Sequence, residues 1–261
     1  MHWDLVTPLI LTYNESANLE QCLNGLKWAN QCVILDSGST DDTVAIASRA
    51  LNTTVSCRDF DNHTNQWNYG LSLIKTPWVL TLDADYILPL TFPEEIGTIP
   101  DRAMEVAYYA QFRYMVHGRP LRSSLYPPRA VLFCKDRCKY VQDGHTQLLK
   151  IEGVTGMLKS VIDHDDRKPL ARWLESQKRY TALEASKLIN CEFSDLRFQD
   201  RLRRSMIFAP IMVFIYTLLI KRTILDGWPG WYYAMQRTYA EILLALQLME
   251  QRNVKEATIH E

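Results

Sequence analysis

A mixed, mostly parallel α/β sheet is the fold predicted by three features of the sequence. Apolar runs of strand length alternate with helical periodicity from Val6 to Tyr86. Two of those runs end in carboxylates, at Asp36 and at the pair Asp83 and Asp85. The chain has 261 residues, 47% hydrophobic and 23% charged, which is enough to cover such a sheet on both faces. Strands that alternate with helices at this spacing become parallel neighbours joined by crossover helices. In open sheets of this kind, ligands bind in the crevice outside the carboxyl ends of the strands.

The elements follow in order. Val6 to Thr12 is a short strand, Tyr13 to Ser16 a polar loop, and Leu19, Cys22, Leu23 and Leu26 recur at helical spacing. Gln31 to Leu35 is the second strand, ending at Asp36. The loop Ser37 to Thr43 opens a helix through Ala50, which Thr40 or Asp41 can cap. Thr53 to Cys57 is a third strand and Thr64 to Ile74 a third helix. The run Trp78 to Tyr86 then forms a fourth strand, ending in two carboxylates. Alternate side chains of an extended strand share a side, so Asp83 and Asp85 project together from its end. Two converging carboxylates repel each other unless a cation lies between them, which makes the pair a candidate for a hard divalent ion.

From Val106 the pattern changes to further strands, at Val106 to Tyr114 and Arg129 to Phe133, with a turn at Gly118 to Arg122. Tyr140 to Gln147 carries Asp143 and His145, either of which can serve as a general base. The strand before His164 closes this domain, and Asp166 to Pro169 starts a long helix. The expected division is therefore 1–165 for the α/β domain and 166–261 for a helical part.

A formal net charge of -1 argues against a nucleic-acid binder. The opening Met1-His2-Trp3-Asp4 has no basic leader, so the six cysteines are expected reduced and the compartment cytoplasmic. Cys134 and Cys138 lack the second cysteine pair that a zinc site needs.

Leu11-Thr12-Tyr13-Asn14-Glu15, Leu35-Asp36-Ser37-Gly38-Ser39-Thr40-Asp41-Asp42-Thr43 and Leu82-Asp83-Ala84-Asp85 resemble, in order and separation, the three signatures of family 2 glycosyltransferases with the GT-A fold. The resemblance implies an inverting transfer from a nucleotide-sugar. Leu11, Tyr13, Glu15, Asp36, Asn68, Asp83 and Ala84 would form the donor site, with Tyr13 on the base and Asp36 accepting from a base or ribose donor. Asp83 and Asp85 would hold Mg²⁺ or Mn²⁺, with His164 completing the shell. Trp67 stands where the family frequently has Arg or Lys; it is either a departure in the donor site or, with Tyr69, a core aromatic. The stretch from Asp143 to Ala185 is similar to the lipopolysaccharide-core β-glucosyltransferase branch, but Thr146 replaces the glutamate of that branch's His-Glu. The base is then Asp143 or His145. Two rival readings stand beside this one: a nucleotidyltransferase, against which the loop after the first strand is neither glycine-rich nor basic, and a degenerate member acting as a membrane scaffold.

In the C-terminal part, Arg201, Arg203 and Arg204 precede an uncharged run from Ile207 to Ile220, and Lys221 and Arg222 follow it. A span needs about 20 apolar residues, and this run is shorter and contains Pro210. The basic flanks can snorkel, and Trp228, Trp231, Tyr232 and Tyr233 suit a headgroup layer. An interfacial hairpin over about 201–235, at the cytoplasmic face of the inner membrane, is expected. It would bring the enzyme to a glycan or lipid-linked acceptor. The bland alternative is a buried helix or a homo-oligomer contact, to which the face Tyr239, Ile242, Leu243, Leu246 and Met249 could contribute.

Overall fold

The computed structural model describes residues 1–100, 103–143, 146–192, 194, 196 and 198–259. The chain divides into two compact units, one made of Met1–Pro120 with Tyr126–Arg167, the other of Leu121–Leu125 with Lys168–Glu261.

The first unit is built on β1 (Val6–Thr12), β2 (Cys32–Asp36), β3 (Thr53–Cys57), β4 (Trp78–Asp83), β5 (Tyr86–Ile87), β6 (Glu105–Val116), β7 (Arg119–Pro120), β8 (Arg129–Cys134), β9 (Cys138–Asp143), β10 (Thr146–Ile151) and β11 (Val154–His164). The main sheet runs β3-β2-β1-β4-β8-β6-β11-β5, with β7 on β6, and β9 and β10 form a separate antiparallel pair. The four strands β3, β2, β1 and β4 are mutually parallel, whereas β8 is antiparallel to both β4 and β6. The helices of this unit are α1 (Leu19–Asn24), α2 (Thr43–Arg49), α3 (His63–Leu73) and α4 (Phe92–Thr98).

Side chains alternate across the sheet between two cores. Ile10, Ile34, Leu80 and Leu82 pack with Leu19, Cys22, Leu26, Phe92 and Ile96, while Leu9, Val33 and Val79 pack with Trp67, Leu71 and Phe133. A strand covered on both faces is apolar at consecutive positions, and for that reason β1 and β2 read as continuous runs rather than as alternations. A β-carbon at Gly70 would collide with the Leu9 side chain, so glycine lets α3 ride close to β1. Trp67 is 4% exposed and stacks on Tyr140, with centroids 5.4 Å apart. It is a core aromatic. Tyr69 is not, since it is exposed beneath the Arg58 guanidinium.

The second unit holds α5 (Leu170–Asn190), α6 (Phe198–Arg204), α7 (Phe208–Ile215) and α8 (Trp228–Ile259), with a π turn over Tyr216–Ile220 and a 3-10 turn over Thr223–Asp226. Its core is Ala185, Leu188, Leu196, Leu244 and Leu248. Arg122 binds Asp226 at 3.0 Å and ties the 121–125 segment to this unit. No described helix is long and apolar enough to cross a membrane.

The cluster before the apolar run differs from the snorkelling set expected of it. Arg203 pairs with buried Glu241 at 2.9 Å, and Arg201 and Arg204 donate to the carbonyls of Leu196 and Cys191. Uncapped helix ends and a buried carboxylate need those donors more than a lipid phosphate does. On the far flank, Lys221 lies over the Tyr216 ring and Arg222 is exposed.

Candidate active site

The parallel register sets the site. Thr12 lies opposite Asp36, and Leu11 opposite Asp83, so β2 and β4 deliver their acidic tips to the same sheet edge on either side of β1. Two strand spacings separate those tips, about 10 Å.

Asp36 is 1% exposed, and both its oxygens are engaged within its own turn. One oxygen accepts from the Gly38 and Ser39 amides at 3.0 and 2.8 Å, and the other from the Thr12 and Ser39 hydroxyls at 2.9 and 2.5 Å. The turn needs Gly38 at φ 85°. Asn14 fastens it to the first loop: its amide donates to Ser39 Oγ at 2.7 Å, and its side-chain oxygen accepts from the Thr40 amide at 2.6 Å. Tyr13, 52% exposed, stands at the mouth of these joined loops. Leu11 is half-buried, and Glu15 accepts from Asn18 at 3.0 Å.

Asn68 and Ala84 sit differently from the other donor-site residues expected from the sequence. Both ends of the Asn68 amide are spent on the Tyr140 backbone, which anchors β9, and Ala84 is buried. A side-chain amide so used has little left for a ligand.

The two carboxylates of the Asp-Ala-Asp turn have different partners. Asp83 Oδ2 accepts from Arg129 Nη1 at 3.2 Å, and both side chains are close to half-exposed. Asp85 Oδ2 meets His164 Nε2 at 3.1 Å, both side chains being 13% exposed. The rings of Tyr86, Tyr114 and Tyr126 enclose His164 edge-on, with centroids 4.7 to 5.4 Å away. Burial works against the imidazolium, but the charge and hydrogen bond of Asp85, helped by Asp83 and Asp166, hold the His164 pKa above its ordinary value.

Asp85 Oδ1 and His164 Nδ1 are buried and have no hydrogen-bond partner among the described residues. An orphaned carboxylate oxygen beside an imidazole is costly unless something else uses it. The carboxylate oxygen is a ligand type that suits Mg²⁺ or Mn²⁺, which commonly keep waters and share a substrate phosphate. Among the described residues no three His, Cys, Asp or Glu side chains converge on one point. Arg129 engages one of the two Asp83 oxygens, Oδ2.

Sequence reading found the strand of Arg129 without its contact to Asp83, and it gave Tyr86 and Tyr126 no contact with either. The signal lay in the register: β8 runs antiparallel to β4, with Leu80 opposite Leu132, so its first residue arrives beside Asp83. The His145 position and the Asp143 side chain lie outside the described residues.

The family model described as Glycosyl transferase family 2 matches residues 9–126. Among curated relatives, an uncharacterized glycosyltransferase (RC0292) of Rickettsia conorii is 33% identical over 113 residues, 43% of this chain and 38% of that protein. The lipopolysaccharide core biosynthesis glycosyltransferase LpsC of Rhizobium meliloti is 30% identical over 84 residues, 31% of each chain. The chain thus spans well under half the length of these relatives. Among solved structures, S. aureus TarS 1-349 in complex with UDP-GlcNAc aligns with a TM-score of 0.50 at 14% identity, covering 97% of this chain and 92% of that one. At that identity the likeness establishes the fold, which is GT-A.

Proposed function

Residues 9–126 constitute a Glycosyl transferase family 2 domain, and from that premise we propose that the protein transfers a sugar with inversion from a nucleotide-sugar to a glycan or lipid-linked acceptor of the cell envelope. The observation that carries this reading is the pair Asp85–His164, buried at the sheet's carboxyl edge with one oxygen and one nitrogen unspent. The nucleoside packs on Tyr13 against the turn that Asp36 organises, Asp36 itself being filled by its four internal donors. Asp85 and His164 would hold Mg²⁺ or Mn²⁺, which would offset charge developing on the diphosphate leaving group. Inversion is a single displacement, so the remaining need is a base for the acceptor hydroxyl, which falls to Asp143 or His145. The S. aureus neighbour was solved with UDP-GlcNAc, and uridine nucleotide-sugars therefore head the donor panel.

The His164 pKa gives this reading a test in pH. A metal ion must displace the proton that Asp85 holds on His164, so the two compete. Stabilisation of the protein by UDP with Mn²⁺, read as a thermal shift, is expected to weaken as pH falls through the raised His164 pKa, by about tenfold in apparent affinity per unit below it. The metal-free protein shows the opposite sign. The His164–Asp85 pair stabilises it fully below the ordinary imidazole value, and that contribution is lost as pH rises through the folded-state pKa. A shift that is flat between pH 5 and 8, or that survives without metal, would remove His164 from the site.

The second unit serves attachment to the cytoplasmic face of the inner membrane, where a lipid-linked acceptor presents its sugar. Phe208, Ile211, Met212, Ile215 and Leu219 recur at helical spacing and are all about half-exposed or more, with Ile220, Leu225 and Trp228 beside them in sequence. Co-sedimentation with vesicles containing phosphatidylglycerol is expected for the full chain and is lost in Ile211→Asp/Leu219→Asp. Protein that stays in the supernatant and sediments as a dimer would assign the same face to a second copy.

A further inference from the structure

We propose that Arg129 is the fixed cation of the donor site and grips the diphosphate of the nucleotide-sugar, a role that rests on the glycosyl-transfer reading above. Burial of Trp67 against Tyr140 shows that α3 presents no charge at that position. A diphosphate beside Asp83 and Asp85 needs positive charge beyond what one divalent ion supplies.

Arg129 stands where that charge is missing. Its Nη1 makes three contacts, to Asp83 Oδ2 at 3.2 Å and to the hydroxyls of Tyr86 and Tyr126 at 2.8 Å each. All three hold one corner of the guanidinium. Nη2 and Nε make no hydrogen bond among the described residues, and the side chain is 43% exposed. The free edge is the planar two-donor fork that matches a phosphate bidentately, and its charge is permanent.

The restraint on Nη1 is worth reading for what it does not do. An ion pair exposed at both ends contributes little to folding, so Asp83 and the two tyrosines fix the direction of the fork more than they fix the fold. Burial opposes the guanidinium charge, but Asp83, Tyr86 and Tyr126 outweigh it and raise the Arg129 pKa. Asp83 is then a positioning residue for Arg129, and Asp85 is left as the carboxylate for the metal. That division of labour accounts for two neighbouring aspartates with different partners.

The test separates the phosphates from the nucleoside. Full-length protein with Mn²⁺ is titrated with UDP, GDP, ADP and CDP, each beside its own nucleoside, for wild type, Arg129→Met and Arg129→Lys. Arg129→Met is expected to weaken the diphosphate that wild type binds best by about tenfold or more and to leave the matching nucleoside within about twofold. Arg129→Lys, which keeps the charge without the fork, recovers part of the loss and decides the matter should Arg129→Met fail to fold. Equal losses for nucleoside and diphosphate, or no loss for either, would overturn the inference. Wild type that binds none of the four would overturn the donor-site reading and this inference with it.

Discussion

Asp85→Ala loses sugar transfer by about 10²–10³-fold, the cost of one preorganised charge at the leaving group. The residue has two jobs, and the substitution ends both. Its Oδ1 is the unspent buried oxygen, and its Oδ2 holds His164 at 3.1 Å. Without the carboxylate, the three tyrosine rings around His164 leave an imidazole in apolar surroundings, which favours its neutral form. The loss should therefore appear with a vanished metal dependence of nucleotide binding rather than with a vanished fold. Donor hydrolysis with Mn²⁺ and circular dichroism on the same preparation check the two halves. Hydrolysis at the wild-type rate would mean that the ion is held elsewhere, or that none is needed.

Asp36→Ala has the second large effect, and it acts first on stability. Four donors converge on this buried carboxylate, two of them backbone amides of the turn. Truncation leaves the Gly38 and Ser39 amides unpaired beside a strand end, which costs about 3 kcal/mol. For a chain of this size that lowers the melting temperature by about 6–12 °C. Nucleotide affinity falls with it, because the loop that Asn14 fastens to Ser39 and Thr40 loses its anchor. Asp36→Asn keeps one acceptor oxygen and is expected to lie between the two. Differential scanning calorimetry with and without UDP reads both effects. An Asp36→Ala protein that melts like wild type would show that the hydrogen bonds do not hold the turn.

The parallel half of the sheet was legible because its strands are short, apolar and punctuated. Val6–Thr12 and Thr53–Cys57 are the same strands in the reading and the structure, β2 is offset by one residue, and β4 stops at Asp83, short of the extended reading. Periodicity carries that information locally. What it does not carry is register between distant segments, and the site depends on register. Arg129 is separated from Asp83 by 46 positions and meets it only because β8 turns back along β4. The same limit explains Asn68, a residue of the expected donor helix that is spent on β9, 72 positions away. Trp67 was open between core and site until its stack on Tyr140 was known. In the helical unit, charge counting alone suggested a free basic flank, whereas Arg203 closes on Glu241, a partner 38 residues later that no local rule identifies.

Asp83 and Asp85 illustrate the point most plainly. They look equivalent in the sequence, and extended alternation would aim them together. Instead the strand ends at Asp83, and Asp85 lies in the turn before β5, where β11 brings His164 to it. The two aspartates thus have different partners, Arg129 at a half-exposed position for Asp83 and His164 at a largely buried one for Asp85.

Diffraction data collected at the manganese edge from crystals grown with Mn²⁺ and UDP test this arrangement most directly. The account predicts one anomalous peak in bonding distance of Asp85 and His164, with the diphosphate on its open side. A nucleotide seated in the cleft with manganese bound elsewhere, or with none, would contradict it.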